Sequence, residues 1–535
     1  MLTLAGSLGY LSIGMDIDPK DWRRPLARQI VTATLEQATK SEGKVILLHD
    51  AGGIRTSTVE ALPQIIDKLR EAGFRFVSVH ELLGLSRDEV MPRIGPEDAW
   101  ITASNYAGFA FFKGLNSFLT LFFYAGIALG TLRLLWVAGF ALVHARRERR
   151  RQHQMWMPTS IAALIPAFNE EKVICNSIHA LLATPDVDFK VIVIDDGSSD
   201  ATAEVVRRTF EHTQRVNVLS KQNGGKWAAL NYGLAHTDAE VVITLDADTQ
   251  FEPDALRWLV RHFVDPEVAA VAGAAIVGNQ INLITRFQAL EYVINQNLDR
   301  RALEVVNGIT VVPGAIGAWR RSALLAVGGF LPDTLAEDAE ATVRLARRDW
   351  KVLYEPRAGA RTEAPETIAC FMKQRLRWMF GTLQVAFKNL PAVWRARPIG
   401  LGLFGLPNII VFLFVFTLFA PAMDIMVVWS LISAINNYVS GPPDAVLLSP
   451  ALHTVAAYWL YFQILELVTA ALAIALERKC RNMWRLLPLL VLQRFCYRQL
   501  LYVTALRAAL AALKGHMLGW NKLIRTGRVA DHFSS

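Results

Sequence analysis

The chain has 535 residues, of which 53% are hydrophobic and 19% charged, and its mean hydropathy is +0.28. This length exceeds one ordinary domain and the composition is too apolar for a purely soluble enzyme, so we expect a membrane protein with at least two folding units. The net charge of +8 could indicate nucleic-acid binding. The basic residues gather beside apolar segments, however, as in residues 146–151, which is typical of the cytoplasmic flank of a membrane helix. We therefore expect a lipid bilayer and no nucleic acid as a partner.

The four cysteines show neither Cys-x-x-Cys spacing nor nearby His pairs, so we assign them no zinc site and no disulfide.

Residues 1–100 predict a small α/β unit without a signal peptide. The apolar run after Gly43 predicts a strand, residues 59–72 a helix, and residues 74–79 a second strand. Two polar sets, Asp18-Pro-Lys-Asp21-Trp22 and Leu47-Leu-His49-Asp50, resemble the last two motifs of the polysaccharide deacetylase family of carbohydrate esterases. That resemblance implies a truncated remnant without the metal ligands of the earlier motifs, and hence no hydrolase activity. The alternative for His49 is a loop histidine at a strand end.

Five apolar blocks predict membrane helices. The first, within residues 113–145, is interrupted only by Arg133 and is followed by the basic run. A bilayer span needs about 20 apolar residues. Four further blocks within residues 399–513 meet or approach that length: 401–420, 422–435, 452–476 and 486–513. The basic run predicts that residues 158–390 and the basic tail 514–535 face the cytoplasm of a plasma membrane, with residues 1–100 outside. The charged loop 477–481 would then face outward, against the positive-inside rule.

Residues 158–390 predict a cytoplasmic α/β domain with a mostly parallel sheet. The predicted strands are Ile161–Ile165, Val191–Ile194, Val241–Leu245, Val268–Ile276 and Lys351–Tyr354. Two of these buried runs end in carboxylates, Asp195-Asp196 and Asp246-Ala-Asp248, at the edge where open α/β sheets place their ligands. An Asp-x-Asp pair offers hard oxygen ligands to Mg²⁺ or Mn²⁺, and such an ion can bridge the diphosphate of a nucleotide sugar.

Six motifs then occur in a fixed order. They are Ile165-Pro-Ala-Phe-Asn169-Glu170, Asp195-Asp196-Gly-Ser, Asn223-Gly-Gly-Lys226, Asp246-Ala-Asp248, Ala336-Glu337-Asp338 and Gln374-Arg-Leu-Arg377-Trp378. This set resembles glycosyltransferase family 2, in its membrane-embedded, processive polysaccharide synthase branch. The poly-β-1,6-N-acetylglucosamine synthases look most similar, since Tyr354-Glu-Pro-Arg357 precedes the last motif. The resemblance implies a GT-A fold.

The resemblance also implies roles on the donor side. Asp195 and Asp196 would hold the uracil and ribose of a UDP-sugar, and Lys226 would contact its pyrophosphate. Asp248 would be the direct metal ligand, and Asp246 would share the ribose and the ion. The alternatives are an Asp-Asp-Gly turn with a helix cap at Ser198 or Ser199, a solvated lysine, and a plain polar turn at residues 246–248.

On the acceptor side, the resemblance implies that Asp338 is the catalytic base. Gln374 and Arg377 would clamp the diphosphate, while Trp378, with Gly314 and Glu337 nearby, would bind the acceptor. Gln374, Arg377 and Trp378 are spaced i, i+3 and i+4, so on a helix they share one face. The same spacing also fits an amphipathic helix at a membrane interface. Thr334 to Glu337 also fits the pattern of a capping box, and Trp319 is equally a candidate for the core. Ala336 stands where the family usually has Thr.

The predicted function is a processive, inverting β-glycosyltransferase that uses a UDP-sugar, preferably UDP-N-acetylglucosamine, to elongate and export a polysaccharide. Its partners would be the donor, the growing polymer and the bilayer, with room for an accessory membrane subunit. The alternatives are a non-processive family 2 transferase acting on a lipid carrier, a membrane-anchored polysaccharide deacetylase, and a transporter without chemistry.

Overall fold

The computed structural model describes residues 12–23, 25–40, 45–50, 55–91, 95–150, 157–440 and 450–514. The chain forms two compact units, Met1–Phe118 and Leu119–Ser535. The predicted loop at 441–444 and nearly all of the predicted tail 514–535 lie outside the described residues.

The first unit is helical where the structure describes it, so the two strands predicted there are wrong. Ile46 makes a single parallel bridge to Ile17, and residues 74–78 form no strand. A capping box between Ser78 and Glu81 instead starts a short helix, a local signal that outweighs the apolar run before it. The helices are α1 (Ala27–Lys40), α2 (Thr56–Glu71), α3 (Val79–Leu82) and α4 (Arg87–Val90).

The two polar sets of this unit do meet. His49 Nδ1 lies 2.7 Å from Asp21 Oδ1, and the backbone N–H of His49 and the Thr58 hydroxyl both donate to Asp21 Oδ2. Asp21 is only 1% exposed. Burial opposes ionisation of Asp21, but the hydrogen bonds from His49 and Thr58 hold its pKa below the ordinary value. His49 is therefore a paired histidine, and the deacetylase resemblance stays a prediction.

The second unit is built on a mixed, mostly parallel sheet, which confirms the predicted fold class. Within residues 157–440 its eight strands lie in the order β3-β2-β1-β4-β7-β6-β8-β5. Strand β1 pairs in parallel with β2 and β4, β2 with β3, and β6 with β8, whereas β4–β7, β6–β7 and β5–β8 are antiparallel. The strands are β1 (Ile161–Ala167), β2 (Lys190–Asp195), β3 (Val216–Ser220), β4 (Val241–Thr244), β5 (Gln250–Phe251), β6 (Val268–Val277), β7 (Gly317–Arg320) and β8 (Lys351–Thr362).

The five predicted strands are present, and β3, β5 and β7 were missed. Strand β3 is half-exposed, β5 has two residues, and β7 begins at a glycine and ends at an arginine, so none of them shows a long apolar run in the sequence. Helices cover the sheet on both faces. They are α6 (Ile174–Leu182), α7 (Thr202–Thr209), α8 (Lys226–Ala235), α9 (Ala255–Val260), α10 (Leu283–Glu291), α11 (Leu298–Glu304), α12 (Arg321–Ala326), α13 (Glu337–Ala346), α14 (Ile368–Lys388) and α15 (Leu390–Arg395).

Two buried polar contacts fix this domain. Trp319 is fully buried, as the core interpretation predicts, and its indole N–H donates to Thr244 Oγ1 at 2.9 Å, which joins β7 to β4. Glu355 in β8 accepts from Arg261 at 2.6 Å and from His262 at 2.8 Å. Burial alone would raise the pKa of Glu355, but His262 and Arg261 lower it to about 2.

Among the described residues, three helices are long and apolar enough to cross a membrane: Asp98–Arg150, Gly400–Trp429 and Ala456–Leu476. The first lies in helix α5 (Pro96–Arg150). The second comprises two π-helical stretches, Gly400–Gly405 and Asn408–Val415, followed by α16 (Phe416–Ser440). The third lies in α17 (Pro450–Leu476).

The prediction of four C-terminal spans is therefore corrected. The first two blocks form one continuous helix, because Pro421 lies inside α16 and does not end it; apolar surroundings favour keeping the backbone helical. The last block is divided into a 3₁₀ stretch, Arg478–Leu486, and helices α18 (Leu489–Gln493) and α19 (Tyr497–Leu513).

Candidate functional site

A cavity of about 760 Å³ brings ten of the eleven predicted site residues together. It lies at the ends of β1 and β4 and continues along α14 to the apolar helices. The ten lining residues are Asp196, Lys226, Asp246, Asp248, Gly314, Glu337, Asp338, Gln374, Arg377 and Trp378. Acids scattered along the sequence thus converge on one cavity, as the sequence predicts.

Asp195 is the exception, because its side chain supports the turn and does not line the cavity. Its Oδ1 accepts from the backbone N–H of Ser198 at 3.2 Å. Successive residues at the end of a strand point in opposite directions, so only one of two adjacent aspartates can face the cavity. The Ser198 hydroxyl does not cap a helix; it accepts from the backbone N–H of Asn169 at 2.9 Å.

Asp196 holds the glycine loop that follows β3. Its carboxylate accepts from Lys221 Nζ at 2.6 Å and from the backbone N–H groups of Gly224 and Gly225 at 3.0 and 2.7 Å. Gly225 has a φ of +87°, which favours glycine, and it directly precedes α8. Asp196 therefore places Lys226, the first residue of α8, at the cavity wall.

Lys226 lies at the centre of the carboxylates. Its Nζ is 2.5 Å from Asp246 Oδ1 and 3.4 Å from Glu337 Oε1. Burial favours the neutral amine, but the charges of Asp246, Glu337 and Asp338 raise the lysine pKa above its ordinary value. Lys226 is therefore protonated and positively charged in the cavity.

Gly314 makes room for that ammonium. A Cβ at this position would lie 2.4 Å from Lys226 Nζ and 3.6 Å from Asp246 Oδ1. Glu337 also contacts the lysine, and burial, with the nearby charge of Asp338, raises the pKa of the Glu337 carboxyl group although Lys226 lowers it. The glycine is thus a steric requirement of the ion pair.

The residues at the end of β4 fit a divalent cation shared with a diphosphate. Asp246 and Asp248 both line the cavity, and Asp248 is only 5% exposed. Among the described residues, no group of three or more His, Cys, Asp and Glu side chains could hold a metal ion. Two carboxylates suffice when phosphate oxygens and water supply the other ligands, which is how Mg²⁺ is commonly bound.

Asp338 lies in the first turn of α13, opposite Gly314. Its Oδ2 accepts from the Gly314 backbone N–H at 3.0 Å, and its Oδ1 accepts from the backbone N–H of Ala339 at 2.8 Å. The predicted capping box is wrong, because the residue before the helix is Ala336 and no side chain caps it. The backbone N–H groups of Gly314 and Ala339 instead hold the Asp338 carboxylate in position.

Helix α14 carries the last motif along one face. Gln374, Arg377 and Trp378 all line the cavity, as the i, i+3, i+4 spacing predicts. Gly381, one turn further on, allows close packing, since a Cβ there would lie 2.9 Å from the backbone N of Ala336. The helix therefore lies directly against the loop that leads to Asp338.

Arg375 was missed by the sequence analysis. It is 2% exposed, its NH2 donates to Glu291 Oε2 at 2.7 Å, and its guanidinium lies 4.4 Å from the centroid of the Trp378 ring. Burial opposes the charge of Arg375, but Glu291 raises its pKa above the ordinary value. Tyr497 also donates to Glu291, so this network fixes the indole that lines the cavity. The signal was present, because residue 375 lies inside the recognised motif.

The cavity continues among the apolar helices. Its lining there combines aromatic and polar side chains: Asn408, Phe412, Phe416, Glu466, Thr469, Gln493, Arg498 and Tyr502. Glu466 and Arg498 form an ion pair at 2.6 Å. Polar groups at such positions commonly line water-filled or ligand-filled paths in membrane proteins.

Comparison with known proteins places this site in a family. Residues 158–381 match the family model described as "Glycosyltransferase like family 2". The matched segment is a family 2 glycosyltransferase domain. This matched segment contains all eleven predicted site residues.

The glycosyltransferase domain also has curated relatives. Poly-beta-1,6-N-acetyl-D-glucosamine synthase of Staphylococcus aureus (strain COL) is 29% identical over 257 residues, which cover 48% of this chain and 62% of the relative. The Staphylococcus epidermidis protein of the same name is 29% identical over 242 residues, covering 45% and 59%. The chain therefore spans about three fifths of the length of these relatives.

Two solved structures have low similarity to the chain. The mannosyltransferase PcManGT from Pyrobaculum calidifontis, in complex with GDP-Man and Mn²⁺, has a TM-score of 0.43 at 18% identity and covers 72% of this chain and 98% of that chain. S. aureus TarS has a TM-score of 0.32 at 16% identity and covers 43% and 40%.

Proposed function

We propose that the protein is a processive, inverting β-glycosyltransferase that uses UDP-N-acetylglucosamine to elongate a polysaccharide and pass it through its apolar helices. One observation carries this proposal. A single cavity joins the acids at the strand ends, the α14 residues and the polar side chains among the membrane helices. A donor, an acceptor and an exit path for the product can therefore share one space.

On the donor side, Asp196 and the loop that it holds would bind the nucleoside, and Lys226 would contact the diphosphate. Asp248 and Asp246 would hold Mg²⁺ or Mn²⁺, and the bound ion would offset the negative charge that develops on the departing diphosphate. Gln374 and Arg377 line the same cavity and would be further hydrogen-bond donors to phosphate oxygens.

On the acceptor side, Trp378 would stack against the sugar, beside Gly314 and Glu337. The Asp338 carboxylate would take the proton of the acceptor hydroxyl as its oxygen attacks C1 of the donor. The new C–O bond forms opposite the bond from C1 to the phosphate oxygen, which breaks. UDP leaves with that electron pair, and the α-linked donor gives a β-linkage.

The helix ends support a cytoplasmic catalytic domain. Arg301 in α11 is paired with Glu148 near the end of α5, and its NH2 donates to the carbonyl oxygen of Leu476, the last residue of α17. Both helices thus end at the same face of the domain. With one span before the domain and two after it, the charged loop 477–481 lies on the cytoplasmic side, in agreement with the positive-inside rule.

The experiment supplies membranes containing the full chain with labelled UDP-N-acetylglucosamine or UDP-glucose, plus Mg²⁺ or Mn²⁺. We expect label from the first donor in high-molecular-weight polymer, and none with Asp338→Asn. Single-sugar lipid products would indicate the non-processive transferase. Label entering polymer only from UDP-glucose would overturn the donor assignment.

The remaining alternatives predict other outcomes in the same membranes. Acetate release from acetylated oligosaccharide that survives Asp338→Asn would indicate the deacetylase. Absence of nucleotide-sugar turnover in both the wild type and Asp248→Ala would indicate a transporter without chemistry.

A further inference from the structure

Three successive charged residues in α11 differ in how they are compensated. Asp299 accepts two hydrogen bonds from Arg133 NH2, at 2.7 and 2.8 Å. Arg301 is paired with Glu148 at 3.3 Å and Glu477 at 3.5 Å. Arg300, between them, makes no ion pair with the residues that the structure describes. Within the described part of the chain, its side chain donates one hydrogen bond, from NH1 to Asn297 Oδ1 at 3.5 Å.

Arg300 is nevertheless inside the protein. It is 5% exposed, it lines the cavity that contains Asp338, and its Nε has no partner among the described residues. Removing an arginine from water without a carboxylate partner costs several kcal/mol, so a buried, uncompensated guanidinium needs a ligand to complete it. Burial lowers the pKa of Arg300, whereas the carboxylates beside Arg301 raise the pKa of that residue.

The surroundings of Arg300 select the chemistry of that ligand. Arg300 and Asp338 line the same cavity, and the Asp338 carboxylate is among the groups whose charge acts on the guanidinium. The adjacent Asp299 accepts from Arg133 and from Asn408, which belong to the long apolar helices. Arg300 therefore lies where α11 meets those helices, whereas Lys226 is paired with Asp246 at the strand ends.

A phosphate is a poor ligand for the Arg300 side of the cavity. The carboxylate of Asp338, which lines the same cavity, would repel it, and the diphosphate already has Lys226. A neutral oxygen acceptor, such as a sugar hydroxyl or an acetamido carbonyl, can accept from the guanidinium without that repulsion.

We propose that Arg300 is an acceptor-binding residue, whose guanidinium donates hydrogen bonds to a neutral oxygen of the terminal acceptor sugar while Asp338 takes the proton of the attacking hydroxyl. This assignment rests on the proposed transferase function and adds a residue outside the six motifs.

The test measures acceptor and donor binding separately. Purified full-length protein is assayed for UDP release from UDP-N-acetylglucosamine at increasing concentrations of a short β-linked N-acetylglucosamine oligosaccharide, and UDP affinity with Mg²⁺ is measured by calorimetry. For Arg300→Met we expect the acceptor KM to rise about tenfold or more, since a hydrogen bond from a charged donor is lost. UDP affinity and donor KM should stay within about twofold. Arg286→Met, on an exposed position of α10, is the matched control and should leave every constant unchanged.

The thermal midpoint of the ligand-free protein provides a second readout. Methionine replaces an uncompensated buried charge with an apolar side chain of similar shape, so Arg300→Met should unfold at the wild-type temperature or above it. A lower midpoint with an unchanged acceptor KM would assign Arg300 a structural role and overturn the proposal. Weaker UDP binding would also overturn it, because the guanidinium would then serve the diphosphate.

Arg300→Lys decides the case if the methionine variant does not fold. It keeps the charge but loses the planar fork, so we expect a raised acceptor KM with unchanged UDP affinity, and an unchanged acceptor KM would contradict the assignment. Failure of the transferase function itself looks different, because the wild type would then release no UDP at any acceptor concentration.

Discussion

Gly314→Ala tests whether the position of the Lys226 ammonium governs donor binding. The added methyl group would lie 2.4 Å from Nζ, so the ammonium must move by about 1 Å to reach an ordinary contact distance. At an effective dielectric constant of about 20, that displacement weakens its attraction to a phosphate oxygen by about 1.5 kcal/mol. We therefore expect the KM for the UDP-sugar to rise roughly tenfold.

Stability should change little in this variant. The ammonium ends a flexible side chain and can move towards Glu337, which is 3.4 Å away, and the backbone N–H of residue 314 still donates to Asp338. The assay is UDP release against donor concentration, with UDP binding by calorimetry and a thermal midpoint as the stability control.

A double-mutant cycle gives the sharpest refutation. In a Lys226→Ala background the ammonium is gone, so Gly314→Ala should cost nothing further. Additive losses in donor KM would show that the methyl group acts elsewhere, for instance on the acceptor, and the steric reasoning would be wrong.

Three further predictions concern the scaffold. Glu355→Gln should lower the thermal midpoint at neutral pH, and it should flatten the loss of stability as pH falls from about 4.5 to about 2. The Glu355 carboxyl has a lowered pKa in the folded protein, so its contribution to the free energy of unfolding, on the order of 3 kcal/mol, is present above that pH window and lost within it. An unchanged dependence of stability on pH in the variant would contradict this. Gly381→Ala should reduce polymer synthesis more than UDP binding, because its Cβ would press on Ala336 next to the catalytic loop; equal losses would count against it. Trp319→Phe should cost about 1–3 kcal/mol of unfolding free energy by leaving the Thr244 hydroxyl without its donor, and a Thr244→Val background should remove that cost.

The sequence predicts the positions of the strand-end acids well, because these residues follow buried strands. Asp246 and Asp248 come directly after β4 and Asp196 after β2, and the ends of parallel strands meet at one edge of the sheet. Antiparallel β7 could not be foreseen in the same way. Three of its four residues are buried, and it pairs with β4 and β6, which are distant in sequence.

The acceptor side was less predictable. Arg300 belongs to no motif, and its significance depends on which neighbours compensate Asp299 and Arg301, a tertiary property. The number of C-terminal spans was predicted wrongly for another reason. A proline usually ends a helix in a water-soluble protein, but Pro421 stays inside a helix among apolar neighbours. In the first unit, the apolar run before Ser78 predicts a strand, but a capping box at Ser78 begins a helix instead.

The pairing of Arg301 with the ends of α5 and α17 has a mechanical consequence. One guanidinium couples the ends of two long apolar helices to α11, so α11 cannot shift against either helix without breaking contacts at Glu148 and at the Leu476 carbonyl together. The position of α11 relative to both helix ends is thereby set by protein contacts. A movement that tilts either apolar helix would be transmitted as torque to α11, the helix that also carries Arg300.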